Sequence, residues 1–298
     1  MVFFNSEIDK ESEKDLLREE LYLRGFIKFK NLISKNSTNK IKDIMHKYDS
    51  SHGNVEKILL RNKNNQLEVL NKSLYNIIIK ESSIKKIEKI LDNSKDKVHL
   101  TRADAYKSQI SKNPVLEWHN DKAFSGDKVI HNKVQNKLFS YKLFIHITAT
   151  QIGNGCLSYV PNSNRISALI RKAFRKGIIE YTPFWNIKDF SEILNKKEII
   201  EFINKYYSNL KDEINEFLET AKKIKHNQNL SDFTIPCMEG DAILFDERGF
   251  HQGGVINNSE RIVLRLFFLN GAGKYKPEPI TELGFRQKDN PVGMFKTM

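Results

Sequence analysis

Cysteine is nearly missing from this sequence. Only Cys156 and Cys237 occur, far apart and outside any Cys-x-x-Cys pair, so neither a disulfide framework nor a cysteine-rich zinc knuckle is expected, and a reducing cytoplasm is the simplest compartment. Long apolar runs are missing too: no stretch approaches the roughly 20 residues that cross a bilayer, and no membrane association is expected. The opening "MVFFNSEIDKESEKDLLREE" turns acidic at once and holds no apolar h-region, so no secretory signal is expected. Like charges never form a block, although the formal net charge is +12. Across 27–98 Lys and Arg outnumber Asp and Glu, yet they stand singly among Asn, Ile and Ser, a spacing that argues against nucleic-acid binding. A basic surplus without such a tract points to a small-molecule substrate that is anionic or carrier-bound. Internal repeats and low-complexity linkers are absent as well.

What is present is enough apolar mass for a core. The 298 residues are 39% hydrophobic and include 19 Phe, which suits one large domain. Leu16, Leu17, Leu21 and Leu23 predict a helix over 7–24, followed by a strand in "RGFIKFKNLI" (24–33) opened by Gly25. Further helices are predicted over 37–49 and 73–92. From residue 98 the pattern turns to strands: 97–110, "LFSYKLFIHITAT" (138–150) and 154–163, the last opened by an Asn-Gly turn. A charged helical block, 166–222, interrupts them before strands return at 232–237, 241–246 and 261–270. The layout is therefore an α-rich front, β strands, a helical insert and β strands again. The two β segments are expected to form one sheet system with the insert packed on it.

The stretch "EWHNDKAFSG" sets His119 and Asp121 at i and i+2, a spacing that turns both side chains to one side of an extended segment. An imidazole nitrogen and a carboxylate oxygen can then reach one ion, but two ligands hold a divalent metal poorly. His251 in "GDAILFDERGFHQGG" is the candidate third ligand. It follows a predicted strand and enters a Gly-rich turn that permits close approach. Two His and one carboxylate with open positions form the facial triad of non-haem Fe(II) oxygenases. Arg261 opens the last apolar strand ten residues past His251, and Arg265 at +4 faces the same side. A guanidinium in a barrel interior needs a carboxylate, which a metal-chelating keto acid would supply. The remaining histidines, including His99 and the mid-strand His146, read as packing or hydrogen-bonded residues.

Taken in order, His119-x-Asp121, "NGCLSYVPNSNR", "GDAILFDERGFHQGG" and Arg261 resemble the phytanoyl-CoA dioxygenase family. The family pattern Asn-Gly-x-Leu followed by Pro-Gly-Ser-His-Arg reads here Asn154-Gly155-Cys156-Leu157 and Pro161-Asn162-Ser163-Asn164-Arg165. Both Asn162 and Asn164 depart from it. "LREELYLRGFIKFKNLIS" resembles the family's N-terminal helix and strand. The resemblance implies a mainly β fold with α additions: a double-stranded β-helix (jelly-roll, cupin-like) core with N-terminal helices and a helical insert. On that plan 1–298 is a single domain, with 1–97 a helical N-terminal support, 98–165 and 232–270 the core, and 166–231 the insert.

The resemblance further implies Fe(II), 2-oxoglutarate and O2, with His119, Asp121 and His251 as iron ligands and Arg261 on the far carboxylate of 2-oxoglutarate. Lys107 and Gln109 are candidates for a further contact to the keto acid, with Tyr106 and Arg102 behind them. Lys122, Phe124 and Trp185 are candidate substrate contacts, as are Tyr181, Phe184, Tyr206 and Tyr207. The implied reaction hydroxylates an unactivated C–H of a small molecule and releases succinate and CO2. Desaturation and cyclisation share that chemistry and stay open, and Asp121 argues against the chlorinating relatives, which lack the carboxylate. A jelly-roll binding protein without chemistry is the alternative from another class. The insert is either a lid over the pocket mouth or a solvated decoration.

Overall fold

The computed structural model of the protein describes residues 3–5, 11–52, 57–63, 66–69, 77, 82–91, 98–108, 110, 112, 114, 116–121, 140–180, 182, 186–226 and 231–270. The strands are β1 (Phe3–Asn5), β2 (Phe26–Lys30), β3 (Lys57–Lys63), β4 (Gln66–Val69), β5 (Val98–Ser108) and β6 (Leu116–His119). The remainder are β7 (Ser140–His146), β8 (Leu157–Tyr159), β9 (Thr234–Ile235), β10 (Ala242–Asp246), β11 (His251–Gly253) and β12 (Arg261–Asn270). Three helices lie towards the front, α1 (Glu11–Arg24), α2 (Lys35–His52) and α3 (Ser82–Leu91). Four follow β8: α4 (Ser163–Arg175), α5 (Ile187–Leu194), α6 (Lys197–Tyr206) and α7 (Lys211–Lys225). Among the described residues no helix is long and apolar enough to cross a membrane.

An eight-stranded sheet has the order β1-β2-β10-β7-β12-β5-β3-β4, and a four-stranded sheet the order β6-β11-β8-β9. Pairing is antiparallel except between β1 and β2. Strand parity sorts side chains into layers. On one face of the large sheet, Leu143, Ile145, Ile262, Leu264 and Leu266 pack with Leu17, Leu21, Ile41, Met45 and Ile87 of the front helices. On the other, Phe26, Phe144, Ile243, Phe245 and Val263 meet Leu157, Tyr159 and Ile235 of the small sheet. This second layer is the interior between the sheets. The front of the chain is thus more than a helical support: β2 lies inside the large sheet, and the β3–β4 pair extends it beyond β5. "KILLRNK" carries little of the alternation that marks a strand, and "QLEV" alternates over only four residues.

Helix α1 ends where Gly25 donates its N–H to Leu21 O at 2.9 Å, at a φ of +84° that glycine adopts without penalty. Asn162, at the position where the resembled pattern carries Gly, also has a positive φ, +64°. Asn is the next-best residue in that conformation, so this departure keeps the backbone the turn needs. Helices α4–α7 bury their own core, including Ile166, Phe190, Ile199 and Phe217, and enclose Trp118, Val160 and Phe250. They form a packed layer on the outer face of the small sheet, not a solvated decoration. Tyr206 and Tyr207 pack on Phe202 within it, with ring centroids 5.6 and 5.3 Å away.

Tyr159 is the central interior aromatic. Its ring lies 5.4 Å from Phe26 and stacks at 12° on His251, and its hydroxyl donates to Asp246 O at 3.0 Å. A Cβ on Gly249 would stand 1.8 Å from that hydroxyl. We expect Gly249→Ala to cost about 3 kcal/mol through overpacking, and Tyr159→Phe about 1 kcal/mol through the lost hydrogen bond. Urea denaturation checks this ordering; equal midpoints for the two variants would refute it.

Candidate metal centre

His119 closes β6 and His251 opens β11, and the two are register partners in the small sheet. That pairing sets their ring centroids 4.3 Å apart. The preceding residues, Trp118 and Phe250, point the opposite way into the helical layer. Each imidazole is oriented by the backbone two residues upstream: His119 Nδ1 lies 2.6 Å from Glu117 O, and His251 Nδ1 3.0 Å from Gly249 O. A ring that donates Nδ1–H to a carbonyl presents the lone pair of Nε2. Both Nε2 atoms face Asp121, at 3.6 Å from Oδ1 for His119 and 3.1 Å from Oδ2 for His251.

The donor atoms of these three residues all lie within 4.8 Å of one another. Donors about 2.1 Å from one divalent ion and at right angles to each other lie about 3 Å apart, so the cluster fits a facially bound metal. Both His are buried, at 3% exposure. Burial, then the charge of His251, lowers the His119 pKa against the pull of Asp121, which favours the neutral form a metal requires. Asn120, between the two candidate ligands, fixes their loop. Its amide donates to Ser167 Oγ at 3.0 Å and to Arg248 O, and its carbonyl accepts from Arg171 Nη2 at 3.2 Å.

Sequence reasoning missed Lys142. Its ammonium lies 2.6 Å from Asp121 Oδ2 and 3.1 Å from Glu247 Oε1. Burial alone would raise the Asp121 pKa, but the Lys142 ammonium, the largest opposing influence, holds it well below the carboxylate range. A signal was available: in "SYKLFIH" the polar residues Lys142 and His146 share the parity of Phe144 on a strongly apolar strand, and a buried Lys is rare unless paired.

Arg261 lies in the interior at 3% exposure, its guanidinium 6.0 Å from the Phe144 ring centroid. The Asn-Gly turn positions it. Asn154 donates to Ser259 Oγ at 2.8 Å and accepts from the N–H groups of Asn258 and Ser259, holding the loop that leads into β12. Gly155 lets the stem pass, since a Cβ there would sit 2.6 Å from Arg261 Cδ. An aromatic floor of Phe245 and Phe144, 5.0 Å apart, runs from His251 towards Arg261. Arg265 shares the Arg261 face but lies over Phe267 at 5.6 Å.

Lys107 is a correction. It pairs in register with Ile262, a core residue of the helix-facing side, and its ammonium binds Glu260 at 2.8 Å. Glu260 also meets His46 of α2 at 3.6 Å. Lys107 therefore faces the front helices and not the interior. Gln109, Lys122, Phe124, Tyr181, Phe184 and Trp185 lie outside the described residues, as do the side chains of Arg102 and Tyr106.

Lys142→Met would leave the carboxylates of Asp121 and Glu247 buried without their shared cation. The metal-free variant should lose about 3 kcal/mol of stability, and Mn(II) should raise its melting temperature more than it raises the parent's. An equal Mn(II)-induced shift in both proteins would refute this account of Lys142.

The chain matches the sequence profile of the family described as Phytanoyl-CoA dioxygenase (PhyH) over residues 21–262. No curated protein matches it. Among solved structures, the epimerase SnoN in complex with Fe3+, alpha ketoglutarate and nogalamycin RO is similar, with a TM-score of 0.54 at 11% identity, covering 92% of this chain and 90% of that one. The non-heme alpha ketoglutarate dependent carbocyclase SnoK from nogalamycin biosynthesis gives a TM-score of 0.52 at 10% identity over 90% and 87% of the two chains. AviO1 from Streptomyces viridochromogenes Tue57 gives 0.51 at 13% identity, over 91% of this chain and 100% of that one. At these identities the likeness concerns the fold, whereas the family match spans most of the chain and includes every residue of the His119–Asp121–His251 cluster together with Arg261. The chain belongs to the phytanoyl-CoA dioxygenase family and is an Fe(II)- and 2-oxoglutarate-dependent dioxygenase.

Proposed function

We propose that this enzyme hydroxylates an unactivated C–H bond of a small molecule, with His119, Asp121 and His251 as the iron ligands and Arg261 as the partner of the far carboxylate of 2-oxoglutarate. The observation that carries the reading is Asp121, within 3.6 Å of both imidazoles. A complete carboxylate ligand supports hydroxylation over chlorination, which needs that position for a halide. The metal, when bound, supplies the oxidising power by coupling O2 to decarboxylation of the keto acid. The chain supplies the rest. Two backbone carbonyls orient the imidazoles, Lys142 holds the carboxylate, and Phe245 and Phe144 form the apolar floor along which the keto acid would lie.

Several finer points belong to the same reading. The two facing sheets and the interior they share support a double-stranded β-helix within a single domain. Arg265, on the same face as Arg261, and the net charge of +12 support an anionic or carrier-bound substrate. Two buried free thiols, Cys156 and Cys237, support a cytoplasmic location. The names carbocyclase and epimerase on two neighbours make ring closure the second outcome to screen for.

The test is an anaerobic titration with Fe(II) and 2-oxoglutarate, followed by a metabolite screen for substrate-triggered succinate release with mass analysis of the product. We expect a gain of one oxygen atom. Asp121→Ala should abolish metal binding and turnover. Arg261→Gln should weaken 2-oxoglutarate binding by about 10- to 100-fold through loss of a charge-assisted pair. An Asp121→Ala enzyme that works like the parent would sink the ligand assignment.

A further inference from the structure

A second interior side chain shares the corner that holds Arg261. His146 ends β7, is fully buried, and pairs in register with Val263. It is therefore a diagonal neighbour of Arg261 on the interior face, within reach of long side chains. Four residues of strand at about 3.3 Å each put it about 13 Å along β7 from Lys142. It thus lies at the far end of the path from the metal cluster, with Phe144 between. Its Nδ1 lies 3.3 Å from Thr150 Oγ1. Its Nε2 is buried and has no hydrogen-bond partner. Such an atom is costly to bury and in native proteins marks a missing ligand or water.

The chemistry of the surroundings decides what this nitrogen offers. Burial, then the charges of Arg261 and Lys28, hold the His146 pKa well below the ordinary histidine value, so the ring is neutral and carries one N–H. Burial also pushes the Cys156 thiol up to about 11, and that thiol hydrogen-bonds with Thr150. An Nδ1 that accepts from the Thr150 hydroxyl leaves the ring proton on Nε2, and this is the tautomer that donation from Nε2 requires. A neutral donor beside a guanidinium, in a corner already too positive to charge the imidazole, is suited to an anion.

We infer that His146 donates its Nε2–H to the distal carboxylate of the keto acid, alongside Arg261, and so selects a 2-oxo diacid over 2-oxo acids that lack the second carboxylate. This rests on the proposed function. His146 is a binding and specificity residue and does not touch the reacting carbon.

Calorimetric titration with Mn(II) in place of iron separates the possibilities. 2-Oxoglutarate and 2-oxobutyrate, which has no distal carboxylate, are each added to the parent, His146→Leu and His146→Gln. His146→Leu should weaken 2-oxoglutarate about tenfold or more, with Mn(II) and 2-oxobutyrate binding unchanged. His146→Gln, which keeps an N–H donor, should recover part of the loss. Unaltered 2-oxoglutarate binding by His146→Leu, or equal weakening of both acids, overturns the inference and leaves the proposed function standing. A parent that binds no 2-oxoglutarate overturns both. Should the variants fail to fold, NMR of the parent with Zn(II) decides: the His146 Nε2–H resonance should move with 2-oxoglutarate and stay put with 2-oxobutyrate. A resonance indifferent to 2-oxoglutarate refutes the assignment.

Discussion

A buried carboxylate must stay ionised for this architecture to work. Asp121 is withdrawn from water, which by itself favours its protonated form. The ammonium of Lys142, beside the two imidazoles, reverses that tendency. Each of those partners comes from a different strand, so the carboxylate ties β6, β7 and β11 together. His119 and His251 are distant in sequence and adjacent in space because they are register partners. A one-residue slip of that pairing would turn one of them into the helical layer. The hydrogen bonds from Asn120 to Ser167 and Arg248 keep the intervening loop from slipping.

How much of this could be read beforehand depends on whether the signal is local. His119-x-Asp121 states its geometry in three residues, and the Gly-rich segment around His251 announces close packing, so the metal cluster was legible. The Asn154-Gly155 turn and Arg261 were legible as a motif, and their physical connection, a glycine that clears the arginine stem, became visible only in three dimensions. Lys107 shows the limit. It sits one residue before Ser108, the register partner of Arg261, and one step of parity separates the interior from the helix-facing layer. Sequence alternation gives two faces of a strand but does not say which is inside when both are buried. On β7 Lys142 and His146 share the parity of Phe144, yet neither face of the strand meets solvent, so that parity alone does not say which face is the interior.

That two-faced burial divides labour across the large sheet. Leu143, Ile145, Ile147, Ile262, Leu264 and Leu266 on the helix-facing side make a wholly apolar contact, which supplies stability without specificity of charge. The interior side carries Lys28, Lys142, His146 and Arg261, all buried. Burying such groups is unfavourable unless each is paired or awaits a charged ligand. Lys28 has Asp241 and a backbone carbonyl, and Lys142 has two carboxylates. Arg261 and His146 share the corner at the far end of the aromatic floor, where a dicarboxylate would find a guanidinium and an imidazole side by side. Binding energy and folding energy are therefore drawn from opposite faces of the same strands.

The helical insert completes the arrangement from behind. Trp118 and Phe250 immediately precede the two histidines and are buried among Ile166, Phe190 and Phe217. Because neighbouring residues on a strand point to opposite faces, fixing those two aromatics fixes the direction in which His119 and His251 project. A metal centre tolerates displacements of only a few tenths of an ångström in its donors, and supporting contacts set that tolerance. The small sheet has four strands, none longer than four residues, and so has little intrinsic rigidity. Clamping it between a packed helical layer and an aromatic interior gives it the stiffness its own hydrogen bonds do not provide.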